Sequence, residues 1–281
     1  MNPRPLSARR LLFLTTTALL LASPLLANCA GTPAALRPQA ERPSAVVSGY
    51  VEGPVLEQLA DALPPPPAPG SAADLEDRAQ SARMTALENT DRWLLATAHA
   101  ELRPPLALQH FNCPLGVQMD AQATPELTRL MQRLFHDADT AAEAVKARAF
   151  RARPVGDDPT RQACQRVSEA GRRSASYPSG SSTVAVVYGE AFAALDPEHA
   201  DEIRRMAHEI GLSRVVCAMH YPRDVAAGED LGRAVYAAAA ERPEFVADLA
   251  AARAELLSMR ARGGTAPGCA AEARALATPL P

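Results

Sequence analysis

Three segments of the sequence carry side chains that could bind an anion and attack it. In the first, KARAFRARP, Lys146 and Arg153 lie seven residues apart, close to two helical turns, so both cations can project from one side. The second, SYPSGSST, places Ser179, Gly180 and Ser181 in front of an apolar stretch. A loop of this kind at a helix start can bind an anion through its backbone N–H groups. Both segments therefore favour a ligand that carries negative charge.

The third segment, SRVVCAMHYPRD, supplies Arg214, His220 and Asp224. His220 and Asp224 are four residues apart, so a shared helical face would let the carboxylate hold the imidazole and select its tautomer. Arg214 and His220 do not stack on an ideal helix, so either the long arginine reaches across or the helix bends. Taken singly, each segment also has an ordinary structural explanation, as solvated surface cations, a helix cap or a surface ion pair.

The composition favours helices as the elements that position these residues. Of the 281 residues, 47% are hydrophobic but only 4% are aromatic, and alanine is very frequent, a mixture that favours helix over sheet. The formal net charge is −3 and no basic stripe is present, which argues against a nucleic-acid-binding surface. The sequence therefore predicts an all-α fold, a bundle of eight or more helices.

Capping signals and apolar periodicity predict where several helices begin and end. The dipeptide TP at 124–125 predicts the start of a helix with an apolar stripe. The sequence TAAE at 140–143 has the form of a capping box, so a second helix that carries Lys146 is predicted to begin there. The helix before SRVVC is predicted to end at Gly211. The run PPPP at 64–67 must be extended, either as a linker or as a strap packed on the domain.

The first 28 residues have the form of an export signal, with a basic start, an apolar middle and small residues at the end. Cys29 completes LANC, which resembles the lipobox of bacterial lipoproteins. Ordinary cleavage after Ala27 and an uncleaved, marginally short membrane anchor are the alternatives. Residues 29–48 are predicted to be a tether, and residues 49–281 an all-α domain. The mature protein is expected to be periplasmic or otherwise exported, either soluble or held by a lipid anchor at a membrane.

Four cysteines follow the leader, at positions Cys113, Cys164, Cys217 and Cys269. An even number of cysteines in an oxidising compartment predicts two disulfides, for which three connectivities are open. Buried free thiols are the alternative. The spacing is far from any C-x-x-C pattern, so no metal site is expected.

Taken together and in order, K-x6-R-P, P-S-G and S-R-x5-H-x3-D resemble the three-part signature of the acid phosphatase and type 2 phosphatidic acid phosphatase superfamily. SYPSG, SRVVC and the upstream PPPPAPGS resemble one branch, the bacterial class A non-specific acid phosphatases, from about residue 49 to residue 275. The resemblance implies an all-helical, periplasmic enzyme that uses no metal or cofactor and acts on a small phosphomonoester.

Two other members of the superfamily are disfavoured. The chain is short for a haloperoxidase, and it lacks the spanning segments after the leader that an integral lipid phosphatase needs. The oligomeric state stays open.

The resemblance also implies a role for each candidate residue. His220 would attack phosphorus and become a phosphohistidine, and Asp224 would orient its ring through the other nitrogen. The phosphoryl oxygens would be held by three cations, a hydroxyl and two backbone N–H groups, which belong to Lys146, Arg153, Arg214, Ser179, Gly180 and Ser181. By the same resemblance, Cys113 would pair with Cys217, and Cys164 with Cys269.

Ser181 departs from the family pattern, in which a histidine usually follows P-S-G and protonates the leaving oxygen. A serine hydroxyl is no useful acid near neutral pH, and the loss of a general acid typically costs about 100- to 10,000-fold in rate.

His208 is a candidate substitute for the missing acid because its helix leads into Arg214; a surface histidine is the alternative. Surface or structural roles are expected for His110, His136 and His199. Two functions follow: a phosphatase that favours good leaving groups, or a family member that binds phosphate-like ligands or a partner without turnover.

Overall fold

Twelve α-helices and no strand are found in the part of the chain that the computed structural model describes, residues 47–264 and 266–281. The helices α1 to α12 span Gly53–Asp61, Ala72–Arg83, Asp91–Ala98, Asn112–Leu115, Pro125–Lys146, Pro154–Asp157, Glu169–Arg173, Gly180–Leu195, Ala200–Val216, Pro222–Ala240, Pro243–Arg262 and Cys269–Leu276. The prediction of an all-α bundle is confirmed. The predicted leader, Cys29 and the tether up to residue 46 lie outside the described residues. None of the described helices combines the length and the apolarity that crossing a bilayer requires.

Helix α8 lies at the centre of the bundle and is buried on nearly every side. Its sequence is apolar almost throughout, and α5, α9 and α10 pack around it. Two glycines of α10 allow the close approach, because a Cβ at Gly228 or Gly232 would collide with the carbonyl oxygens of Ser179 and Thr183. The first turn of α8 is therefore held directly against α10, the helix that follows His220.

Two predicted helix boundaries are wrong for the same reason. Helix α5 runs without a break from Pro125 to Lys146, so TAAE lies in its interior and caps nothing. The buried stripe of α5 continues through this segment with Ala141 and Val145, and packing decides over a local capping signal. Helix α9 continues through Gly211 as well, where a Cβ would press on α8 and α10. This glycine serves close helix packing and does not end the helix.

The four-proline run is a strap packed on the domain. It connects α1 with α2 in an extended form, and two of its four prolines, Pro66 and Pro67, are partly buried. The hydroxyl of Tyr177 donates a hydrogen bond of 2.6 Å to the carbonyl oxygen of Pro64. Because Tyr177 belongs to SYPSG, the strap is fastened to the loop that opens α8.

Both pairs of cysteines form disulfides, but the predicted pairing is wrong. Cys113 is bonded to Cys269, and Cys164 to Cys217, with Cα–Cα distances of 5.4 and 4.8 Å that suit a disulfide. The helix that begins at Cys269 packs against α3, and its first residue is bonded to Cys113 of α4. The end of α9 is covered instead by the loop after α6. The Cys164–Cys217 bridge therefore anchors that loop three residues before His220.

Candidate active site

A cavity of about 200 Å³ brings side chains from all three sequence segments together. Six of the predicted site residues line it, namely Lys146, Arg153, Gly180, Ser181, Arg214 and His220. The other lining residues are Ala100, Leu102, Arg103, Phe135, Asp139, Gln165, Val184 and Met219. Ser179 and Asp224 do not line the cavity, because both are fully buried behind it.

A turn of the backbone, and no continuous helix, places His220 beside Arg214. Helix α9 ends two residues after Arg214, and the chain reverses through Ala218, whose φ is 55°. The N–H group of His220 then donates to the carbonyl oxygen of Arg214 at 3.3 Å. His220 precedes α10, whereas Asp224 lies in its first turn. The prediction that these two residues share one helical face is therefore wrong.

The hydrogen bonds of His220 select its tautomer. Nδ1 lies 2.7 Å from the carbonyl oxygen of Ser176, which can only accept, so Nδ1 carries the proton and donates it. Nε2 lies 3.1 Å from Nη1 of Arg153, which can only donate. The lone pair of Nε2 is thus directed towards the cavity and its cations. This is the arrangement that a nucleophilic imidazole needs.

Burial and neighbouring charge keep His220 neutral. Only 3% of the residue is exposed, and burial lowers the pKa of its imidazole well below the ordinary value. Arg153, Arg214 and Lys146 lower that pKa further, because a second positive charge among them is unfavourable. The imidazole therefore keeps its lone pair free in acidic solution, where an exposed histidine would be protonated.

Asp224 does not contact the imidazole, in contrast to the predicted pairing. Its Oδ2 accepts from the Ser176 hydroxyl at 2.6 Å and from the N–H group of Tyr221 at 2.9 Å. The Asp224 carbonyl oxygen also accepts from the Ser179 N–H group at 2.8 Å. Asp224 holds the SYPSG loop in place, and the carbonyl group of Ser176 in that loop holds His220. The carboxylate acts on the imidazole through one intervening residue.

Behind Asp224 lies a buried ion cluster that sequence reasoning missed. Arg151 donates to Asp224 and Asp77 at 2.8 Å and to Asp74 at 2.9 Å. Its guanidinium also lies 4.2 Å from the ring centroid of Tyr221. Two of the carboxylates come from α2, so this helix supports the site from behind. The only sign of this cluster in the sequence was Arg151, the first arginine of RAR, and nothing in the sequence distinguished it from a surface charge.

Two arginines at the floor of the cavity lack carboxylate partners among the described residues. Arg153 donates to Ser174 Oγ and to the carbonyl oxygen of Met219, both at 2.9 Å, and burial lowers its pKa. Arg214 is 3% exposed, and burial followed by the charge of Arg153 lowers its pKa to about 10. Its Nε and Nη1 are buried with no hydrogen-bond partner in the described chain. Buried donors of this kind are suited to the oxygens of an anion.

The first turn of α8 and Lys146 complete the cationic side of the cavity. Ser179 caps α8, accepting from the Ser182 N–H group at 3.2 Å, so its hydroxyl serves the helix and not the cavity. The N–H groups of Gly180 and Ser181 belong to the first turn, where the helix dipole favours negative charge. A Cβ at Gly180 would lie 3.2 Å from Lys146 Nζ, so a larger residue there would push this flexible ammonium away by a few tenths of an ångström.

His208 is not part of the site. It lies on α9 and its Nδ1 forms a 2.6 Å contact with Glu229 of α10, where it lines a different cavity. The hypothesis that His208 replaces the missing acid is therefore wrong. His136 and His199 lie at partly or fully exposed positions, and His110 contacts the Glu101 carbonyl oxygen, in keeping with surface or structural roles. No group of three or more potential metal ligands occurs among the described residues.

A neutral histidine at the floor, three cations around it and a helix N-terminus beside Lys146 define a site that can hold a tetrahedral oxyanion and attack it. Curated relatives agree with this class. The chain is 30% identical to an acid phosphatase of Zymomonas mobilis, over 72% of this chain and 77% of the relative. It is 30% identical to a non-specific acid phosphatase of Salmonella typhi and 28% identical to one of Providencia stuartii, over 78% and 80% of those proteins.

The chain thus belongs to the non-specific acid phosphatase family, and the resemblance drawn from the three segments is confirmed. The alignments cover 69% to 72% of this chain. No protein-family model matches the chain.

Proposed function

We propose that this protein is an exported phosphomonoesterase that works through a phosphohistidine at His220. The observation that carries the proposal is the unprotonated Nε2 of His220, which faces Arg153 beside two donors of Arg214 that have no partner in the described chain. A small phosphomonoester is the substrate class that fits three cations in a cavity of about 200 Å³. Two disulfides support export, since such bonds persist in oxidising compartments.

In the first step, the Nε2 lone pair of His220 attacks phosphorus and the bond to the ester oxygen breaks. The electron pair of that bond goes to the leaving oxygen, and the phosphoryl group stays on nitrogen. Arg153, Arg214 and Lys146, with the N–H groups of α8, stabilise the charge on the equatorial oxygens, which is the main task in phosphoryl transfer. The Nδ1–H bond to Ser176 stabilises the positive charge that develops on the imidazole.

In the second step, a water molecule attacks the phosphohistidine and the P–N bond breaks. Inorganic phosphate leaves, and His220 returns to its neutral form. The low pKa of the imidazole makes it a good leaving group in this step, because the ring does not need to hold an extra proton.

Ser181 stands where the family usually has histidine, so at that position the first step lacks a proton donor and the second step lacks a base for the attacking water. It lies in the first turn of α8 and lines the cavity, so its backbone can bind oxygen while its hydroxyl keeps its proton. Aryl phosphates need little protonation of the leaving oxygen, whereas alkyl phosphates need much. We therefore expect p-nitrophenyl phosphate to react faster than ethyl phosphate.

The test is hydrolysis of p-nitrophenyl phosphate by the parent protein and by His220→Ala. We expect the variant to lose at least about 1,000-fold in kcat, because the nucleophile itself is absent. His208→Ala is the matched control, since it removes a histidine that pairs with Glu229 and lines a different cavity, and it should retain the parent rate. Trapping of acid-labile phosphate on the parent protein, but not on His220→Ala, would identify the intermediate.

Two results would contradict the proposal. Full activity of His220→Ala would show that the nucleophile is assigned wrongly. No turnover by the parent, together with phosphate binding that Arg214→Met removes, would show that the cavity binds anions without catalysis, which is the alternative function.

A further inference from the structure

The direction of attack places the leaving oxygen at the mouth of the cavity. His220 lies at the floor, 3% exposed, and attacking and leaving groups lie roughly in line across phosphorus. The leaving oxygen therefore points away from the floor, towards the outermost lining residues. Of these, Arg103 and Asp139 are exposed and charged. A proton donor for the leaving oxygen has to be sought there.

The chemistry of the lining residues leaves one candidate. Arg153, Arg214 and Arg103 are guanidinium groups, which hold their protons too tightly to act as acids. Lys146 pairs with Glu143 at 2.6 Å and, in the proposed function, holds the equatorial oxygens, a role that requires it to keep its proton. Asp139 is the one carboxyl group among the lining residues of the described chain.

Helix α5 carries Asp139 into the same cavity as Lys146. The two residues are seven apart in an unbroken helix, close to two turns, and Phe135 lies one turn before Asp139. All three line the cavity. We propose that Asp139 is the general acid that protonates the leaving oxygen, a role that Ser181 cannot fill. This proposal rests on the proposed phosphatase function.

The charges around Asp139 suit this role. Partial desolvation raises the pKa of its carboxyl group, and the nearby Glu143 carboxylate raises it further. Cations oppose the shift without reversing it, and they come from α5 itself and from the segment before α4: Lys146, His136 and Arg103. The buried Tyr188 hydroxyl of α8 faces the same region, and the remaining charged groups of the cavity are Arg153, Arg214 and His220. A carboxyl group that keeps its proton to higher pH is a better donor in weakly acidic solution.

The proton balance closes over the two steps. When the P–O bond breaks, the Asp139 carboxyl group donates its proton to the leaving oxygen, which departs as an alcohol. The Asp139 carboxylate then accepts a proton from the water that attacks the phosphohistidine. Phosphate leaves, and both His220 and Asp139 return to their starting forms. In a cavity of about 200 Å³, the carboxyl group reaches the leaving oxygen directly or through one water molecule.

The experiment compares ethyl phosphate with p-nitrophenyl phosphate for the parent and for Asp139→Asn. We expect kcat for the ethyl ester to fall about 100-fold and kcat for the aryl ester to fall less than about tenfold. For the parent, kcat on the ethyl ester should decline as pH rises through the pKa of Asp139, and this limb should be absent in the variant. Asp139→Glu should recover much of the lost rate, and so should Ser181→His added to Asp139→Asn.

Glu126→Gln is the matched control, because it makes the same carboxyl-to-amide change at an exposed position of α5. It should leave both substrates unaffected. Equal losses on the two esters in Asp139→Asn, or an unchanged pH limb, would overturn the assignment while the phosphatase activity stands. A selective loss in Glu143→Gln instead would move the role to that residue. Failure of the parent to hydrolyse either ester would reject the proposed function and this assignment with it.

Discussion

Arg151 and Arg153 are separated by a single alanine and are equally buried, yet their surroundings are opposite. Arg151 is neutralised by three carboxylates, and these raise its pKa despite burial. Arg153 contacts a hydroxyl, a carbonyl oxygen and the His220 ring, and burial lowers its pKa. The first arginine is satisfied by the protein itself. The second has no carboxylate within ion-pair distance among the described residues and lines the cavity, so its charge is available to an anion.

The same residue type is thus paired with carboxylates in one region and left without a carboxylate partner among the described residues in another. Arg151 connects α2 to Asp224 and so to the loop that holds His220. Arg153 and Arg214 line the cavity without a carboxylate partner among the described residues, and two donors of Arg214 have no acceptor there. A structural charge is therefore distinguished from a functional one by whether its partners are already present in the fold.

The largest expected effects, on the free energy of unfolding and on kcat, come from replacing Arg151 or Arg153 by methionine. Arg151→Met leaves buried carboxylates without their partner, which typically costs about 3–5 kcal/mol of unfolding free energy. Arg153→Met removes a poorly paired charge, so the unfolding free energy should stay within about 1 kcal/mol of the parent while kcat falls about 100-fold or more. Urea denaturation and p-nitrophenyl phosphate turnover measure the two quantities. Equal destabilisation by both substitutions would show that Arg153 stabilises the fold as much as Arg151 does.

Added phosphate should raise the free energy of unfolding by a smaller amount. An anion that binds only the folded protein stabilises it by about 2.7 kcal/mol at a concentration 100 times its Kd. Arg214→Met should abolish this gain, because Arg214 supplies two unpartnered donors. Arg151→Lys should keep it, since the cluster behind Asp224 does not line the cavity. A melting temperature of the parent that phosphate does not change would contradict the assignment of these donors.

The smallest effect concerns acid stability. Folding lowers the pKa of His220. Its contribution to the free energy of unfolding is therefore fully present above the ordinary histidine pKa of about 6.5 and is lost as the pH falls below that value. One such group costs about 1.4 kcal/mol per pH unit in that window. His220→Asn should remove this slope in urea denaturation between pH 6.5 and 5.

His208→Asn is the control for this slope, because Glu229 raises the pKa of His208 and its stabilising contribution is instead present at low pH. The control variant should keep the acid-side loss of the parent. An identical slope in the parent and in His220→Asn would show that His220 is not held neutral.

Local patterns predicted most of the helices and the family, but they failed where packing decides. The TAAE sequence has the form of a cap, yet the apolar stripe of α5 continues through it and the helix does not end. Gly211 resembles a helix stop, yet its missing side chain is what lets α8, α9 and α10 approach. Cysteine spacing allowed three pairings, and only the position of the loop over the end of α9 selects Cys164 for Cys217.

By itself, the sequence determined the helical class and the order of the three segments, because these depend on composition, periodicity and residue type, and the family resemblance nominated His220 as the nucleophile. Tertiary structure alone decided that Asp224 acts through Ser176, that Arg151 is neutralised, and that Asp139 faces the cavity. Each of these depends on which groups from distant parts of the chain meet in a buried space. There, a carboxylate a few ångströms away changes the charge, the pKa and the role of its neighbour.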